Sequence, residues 1–177
     1  MIHIVGAGPG DPDLITVKGA RYLAEADVII YAGSLVNPAL LNLCKKGAEI
    51  HNSAYMTLDE VVDVIARAES EGKMTVRLHT GDPAIYGAIQ EQMDVWEKRG
   101  FEYDVVPGVS SFLGTAAVLR QEYTLPGISQ TVIITRNEGR TPVPEREKLR
   151  SLAAHRATMC IFLSISMIDE VAAELIS

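Results

Sequence analysis

Three short apolar runs in this chain each open directly into a turn rich in glycine and proline, and that coupling restricts the fold more than any other feature. Ile2-His3-Ile4-Val5 runs into Gly6-Ala7-Gly8-Pro9-Gly10-Asp11-Pro12. Residues 74–78 run through His79 into Thr80-Gly81-Asp82-Pro83-Ala84-Ile85-Tyr86-Gly87, and residues 103–106 run into Pro107-Gly108-Val109-Ser110-Ser111. Short continuous apolar runs suit strands buried on both faces, and glycine just beyond them lets the backbone turn sharply. Stretches of helical periodicity separate the turns. Strands alternating with helices in short units predict an α/β fold, a parallel sheet flanked by helices. In such sheets ligands sit at loops leaving the carboxyl ends of strands, where all three turns fall.

Local signals fill in the elements. Thr16 can cap a helix through about residue 24, a second apolar run covers 28–31, and Asn37-Pro38 is a helix start. Residues 48–51 read as a weaker strand. Thr57 and Glu60 have capping-box spacing, and Leu58, Val61, Val62, Ile65 and Ala66 then share one face up to Gly72. A helix over 88–99 closes at Gly100, and a small-residue helix covers 111–119. A boundary is expected after residue 120. Residues 1–120 form the N-terminal α/β domain with the glycine loops, and 121–177 begin a second α/β domain that the chain leaves incomplete. In that part strands are expected at 131–135 and 159–163, and helices at 145–154 and from 168.

Composition sets outer limits. The chain has 177 residues, 47% of them hydrophobic, enough for a sizeable core. Met1 runs straight into strand-like sequence, so no secretory leader is expected, and no apolar run is long enough to span a bilayer. Cys44 and Cys160 are far apart and lack metal-ligand spacing, which suits core thiols in a reducing, cytoplasmic setting and predicts no metal. A formal net charge of −7 argues against a nucleic-acid surface but leaves room for a small anionic ligand held by a few arginines.

Taken singly, the loops leave their chemistry open. The first is not a dinucleotide fingerprint, because position 11 is Asp where a third glycine is needed, and no Gly-Lys-Ser/Thr makes it a P-loop. Asp82 can accept hydrogen bonds in a preorganised pocket or simply close an Asx turn. His79 is either a site residue or a core histidine at a strand end. Ser110 and Ser111 can meet a ligand or cap the helix that follows. Arg136 and Arg140 can grip carboxylates with their planar forks or lie solvated in a loop.

Their joint order is more specific. The segments 6–12, 81–87 and 106–111 together resemble the tetrapyrrole methylase family across the whole chain. Tyr31-Ala32-Gly33-Ser34-Leu35-Val36, His79-Thr80-Gly81-Asp82-Pro83 and Thr135-Arg136-Asn137-Glu138-Gly139-Arg140-Thr141-Pro142-Val143-Pro144 are similar to its branch that methylates precorrin-4 or cobalt-precorrin-4 at C-11. Uroporphyrinogen-methylating members carry an acid where this chain has Ala32 and a lysine without counterpart near 52–54, which favours the corrin branch.

The resemblance implies two α/β domains with S-adenosylmethionine in the cleft between them, a homodimer, a corrin precursor as substrate and a role in cobalamin synthesis. By motif matching it implies Pro9, Thr80, Gly81, Asp82, Ile85, Ser110, Ser111 and Leu163 as cofactor contacts. Leu163 lies in Phe162-Leu163-Ser164, where relatives often carry Tyr-Met-Gly. Tyr86, Arg136 and Arg140 are expected on the substrate. No general base is identified; Asp82 and His79 are the nearest candidates. The loops also admit protein-directed or RNA-directed methyltransferases of the same superfamily, or a nucleotide-binding module without chemistry.

Overall fold

A computed structural model describes residues 1–139 and 141–176, Ser34 by its backbone alone. Arg140 therefore lies outside the described residues. The chain divides into two compact units, Met1–Gly114 and Thr115–Ser177. The division falls inside the helix that follows the third glycine turn.

The first unit is a five-stranded parallel sheet. Its elements are β1 (Ile2–Gly6), α1 (Val17–Glu25), β2 (Val28–Tyr31), β3 (Glu49–Asn52), α2 (Leu58–Ser70), β4 (Thr75–His79), α3 (Gln90–Lys98) and β5 (Tyr103–Val106), followed by α4 (Ser111–Leu119). The strand order is β3-β2-β4-β1-β5. Alternation along the strands sends side chains to two apolar layers. Val5, Ile29, Val76 and Leu78 pack with Leu23 of α1, while Ile2, Ile4, Val28 and Ile30 pack with Val61 and Ile65 of α2 and Trp96 of α3. Both faces are covered, which is why these strands read as continuous apolar runs.

The helix signals are realised. Thr16 caps α1 through the amide of Gly19, and Thr57 and Glu60 form a full capping box on α2. After Asn37-Pro38 the chain makes a 3-10 helix over Pro38–Leu43 rather than an α-helix, with Asn37 accepting the Ala39 amide. Register then fixes the functional edge. Gly6 lies beside His79, and Val5 beside Val106, so the carboxyl tips of β4, β1 and β5 are level.

The second unit holds a parallel pair, β6 (Val132–Arg136) and β7 (Thr158–Phe162), with α5 (Leu149–Ala153) and α6 (Ile168–Ile176). The continuous helix expected over 145–154 is two pieces. A 3-10 turn covers Glu145–Glu147, Lys148 is extended, and α5 starts afresh. The reason is tertiary: Glu174 of α6 accepts the Arg150 amide at 3.2 Å, supplying the first-turn partner that the preceding chain does not.

Candidate functional site

In the first unit the three glycine turns meet and are stitched by backbone. Ala7 donates to the His79 carbonyl at 2.7 Å. Gly8 donates to Gly81 at 3.2 Å and accepts from Gly81 at 2.9 Å. Both glycines have positive φ, +79° and +57°, which a residue with a Cβ adopts only under strain. The third turn is pressed against the other two. A Cβ on Gly108 would lie 2.1 Å from the Gly81 carbonyl oxygen, and one on Gly6 would lie 2.6 Å from the Gly108 Cα. Gly114 of α4 does the same for the first turn, since a Cβ there would strike the Pro9 ring at 2.8 Å. These contacts bring Pro9, Thr80, Gly81, Asp82, Ser110 and Ser111 to one edge of the sheet.

Asp82 works as a clasp. One carboxylate oxygen accepts the Ala84 amide at 2.8 Å, closing its own turn, and the other accepts the Gly108 amide at 2.9 Å. The Asx turn is therefore present, and the second oxygen reaches beyond it to the neighbouring turn. Ser110 is buried, and its carbonyl starts α4 by accepting from Leu113 and Gly114, while Ser111 is exposed. Ile85 is half-buried and Tyr86 exposed, the latter with φ of +54°. A strained tyrosine on a solvent-facing turn is a recurring mark of a binding segment.

Two buried polar side chains stand behind the turns. Burial, reinforced by the Arg77 charge, pulls the His79 imidazole down to about 3, and its Nε2 has no hydrogen-bond partner. It is neutral at physiological pH and a poor proton acceptor. Burial also lowers Arg77 to about 10, so it stays charged. Arg77 donates from Nε to Gln92 at 3.0 Å and from Nη1 to the Ile30 carbonyl at 3.1 Å.

The remaining candidates lie in the second unit. Leu163 follows β7 with φ of +55° and its side chain exposed. Ser164 is buried, accepting the Asn137 amide at 3.0 Å and donating to the Phe162 carbonyl at 2.7 Å. Arg136 ends β6 and is not simply solvated. Its guanidinium donates to the carbonyls of Asn137, Thr141 and Pro142, winding its own loop around itself.

Sequence reasoning missed the second role of Asn37 and the place of Arg77, while the small residues of the 111–119 helix did signal the close approach that Gly114 makes. Asn37 reads as a helix cap, yet its side-chain amide also donates to the Gly10 carbonyl at 2.7 Å and pins the first turn. Nothing local signals that second bond. Among the described residues no group of three or more His, Cys, Asp or Glu could hold a metal ion. The site is built from backbone, small side chains and one carboxylate, which suits holding a neutral or cationic organic ligand.

Comparison with known proteins agrees with this geometry. The family model described as tetrapyrrole (corrin/porphyrin) methylases matches residues 1–177. A cobalt-precorrin-4 C(11)-methyltransferase of Methanocaldococcus jannaschii is 63% identical over 99% of this chain, which spans 68% of that protein. Among solved structures, a cobalt precorrin-4 methyltransferase superposes with a TM-score of 0.96 at 52% identity, over 99% of this chain and 73% of that one. A uroporphyrin-III C-methyltransferase of Thermus thermophilus, complexed with S-adenosylhomocysteine, superposes with a TM-score of 0.79 at 28% identity, over 99% of this chain and 71% of that one.

Proposed function

This chain belongs to the tetrapyrrole (corrin/porphyrin) methylase family, and we propose that it is an S-adenosylmethionine-dependent C-methyltransferase acting at C-11 of cobalt-precorrin-4 or precorrin-4 in cobalamin biosynthesis. One observation carries the reading: three glycine turns at level strand tips are locked together by the Gly8–Gly81 exchange and the Asp82 clasp.

The residues suit the cofactor. A Cβ on Gly10 would have nothing within 4 Å, so the first turn offers bare backbone beside open space, and half-buried Pro9 and Ile85 supply apolar contact. When bound, S-adenosylmethionine supplies an electrophilic methyl group. Pro9, Thr80, Gly81, Ile85, Ser110, Ser111 and Leu163 are assigned to hold it, with Asp82 keeping the turns after β4 and β5 in place. Tyr86, Arg136 and Arg140 are assigned to the substrate, the arginines to its carboxylates, with Arg136 also holding its own loop.

A pyrrole-derived carbon is already nucleophilic, so catalysis rests on alignment and exclusion of water. His79 is not the proton acceptor, because it stays neutral down to about pH 3. Asp82 is assigned to the turns, each of its oxygens accepting a backbone amide. We assign a homodimer working in the cytoplasm on a small-molecule corrin, without nucleic acid. The acidic balance speaks against a nucleic-acid surface, and among the described residues no helix is long and apolar enough to cross a membrane.

Calorimetric titration with S-adenosylhomocysteine and with NAD is the first test. Binding of the former alone is expected; binding of NAD alone would make the chain a nucleotide-binding module. Labelled-methyl transfer should then go to cobalt-precorrin-4 and not to RNA or an elongation factor. Transfer to either macromolecule would overturn the substrate.

A further inference from the structure

Arg77 is a charged side chain only 6% exposed, in the middle strand of the sheet, and the proposed mechanism gives it no task. Buried charges are ordinarily paired with an opposite charge. Here no carboxylate lies within ion-pair distance among the described residues, and desolvation is the sole cause of its lowered pKa. Its acceptors are both neutral: the Ile30 carbonyl on β2 and the Gln92 side-chain oxygen on α3.

Gln92 is itself buried, and it passes the connection on. Its side-chain amide donates to the Ala88 carbonyl at 3.1 Å. Ala88 ends a segment wound unusually tightly. Tyr86 and Ala88 both have left-handed φ, +54° and +50°, and a Cβ on Gly87 would lie 2.1 Å from the Pro83 carbonyl oxygen. Non-glycine residues hold such angles only when their surroundings over-determine them. Asp82 fixes the start of the segment through the Ala84 amide, and the Asp82 carbonyl accepts from Ile85 at 3.2 Å. The far end has Gln92, oriented by Arg77.

We propose that Arg77 is a positioning residue for the reaction: acting through Gln92 and the Ala88 carbonyl, it holds the strained 83–88 segment so that Ile85 and Tyr86 are presented to cofactor and substrate. The last clause rests on the function proposed above. A guanidinium suits the task better than a smaller donor, because its planar fork spans from β2 to α3 with two fixed bonds.

Hydrogen exchange on the full 177-residue chain tests this. In Arg77→Met the amides of residues 84–88 should exchange about tenfold faster, while those of β1 and β5 keep wild-type protection, because opening of the segment is local. Gln92→Ala should reproduce the effect, as should Gln92→Glu, which keeps the acceptor for Arg77 but has no donor for the Ala88 carbonyl, and the double variant Arg77→Met with Gln92→Ala should add nothing. S-adenosylhomocysteine affinity should fall about tenfold in Arg77→Met, in Gln92→Ala and in Gln92→Glu alike. Unchanged exchange at 84–88, or uniform loosening of the whole sheet, would overturn the proposal. Should Arg77→Met fail to fold, Gln92→Ala carries the same test. A wild-type chain that does not bind S-adenosylhomocysteine would sink the proposed function, while the exchange pattern still decides the role of Arg77.

Discussion

The Asp82 carboxylate accepts the Gly108 amide at 2.9 Å, joining the turn after β4 to the turn after β5 across β1. A hydrogen bond to a charged acceptor contributes roughly 1.5–3 kcal/mol. Asp82→Asn can keep the Ala84 bond but must aim an NH2 group at the Gly108 amide. Affinity for S-adenosylhomocysteine is expected to drop at least tenfold by calorimetry, with the thermal midpoint lowered by several degrees. A variant that binds as tightly as wild type would remove the clasp from the cofactor site.

Gly108→Ala tests how closely the turns approach. The new methyl would sit 2.1 Å from the Gly81 carbonyl oxygen, and backbone there has little freedom to yield. Overpacking of this kind costs about 1–3 kcal/mol. The comparison is Gly139→Ala, where a Cβ meets nothing within 4 Å. Urea midpoints should fall for the first and stay near wild type for the second.

His79 gives a pH signature whose sign is fixed. Its folded pKa, about 3, lies below the ordinary value of 6.5, so below pH 6.5 the unfolded chain binds a proton that the folded chain refuses. Stability is therefore lost as pH falls from about 6.5 towards 3, by up to about 1.4 kcal/mol per pH unit. His79→Leu should flatten this part of the curve in urea titrations, and should leave the pH dependence of methyl transfer near neutrality unchanged. A shifted activity profile would return His79 to the list of proton acceptors.

Asp104 titrates with the same sign as His79, in a more acidic window. Its partial burial alone would raise the carboxyl, but hydrogen bonds from His3 at 2.5 Å and Lys18 at 2.9 Å hold it below the usual range. The stability it contributes is present above the unfolded carboxylate pKa and fades as pH drops through the folded one. Denaturation of Asp104→Asn should accordingly differ from wild type at neutral pH and converge with it near pH 3. Curves that stay parallel throughout would show the pair to be inert.

Leu163 sets stability against binding. A non-glycine residue in the left-handed region costs roughly 1–2 kcal/mol, and this one also exposes its side chain. Leu163→Gly should raise the thermal midpoint. If Leu163 meets the cofactor, the same change should weaken S-adenosylhomocysteine binding. A gain in stability with no loss of affinity would strike Leu163 from the site.

The sheet and its turns were legible because buried parallel strands leave continuous apolar runs, and because the glycines mark where backbones must touch. The capping box at Thr57 and Glu60 was legible for a local reason, since both partners lie within one turn. What the sequence hid was non-local. Asn37 shows a cap but not its bond to Gly10. Arg77 looks like a charge in a strand until α3 delivers Gln92 beside it. Arg136 was foreseen as a loop arginine open to substrate, and no spacing rule reveals that its donors go to three carbonyls of its own loop. The helix expected over 145–154 broke for the same reason, its first-turn partner being Glu174 of α6.

The strand that opens the chain pairs with two strands made much later, Ile2 facing Thr75 on one side and Tyr103 on the other. One edge of β1 cannot be closed before residues 75–79 exist and the other not before residues 103–106, so contacts of large sequence separation must form before the sheet is whole. During synthesis Ile2, Ile4 and Val5 wait without partners, as an open template for any passing strand. Pairings of such sequence separation form late, and a slow supply of β5 would leave the open edge of β1 exposed to aggregation.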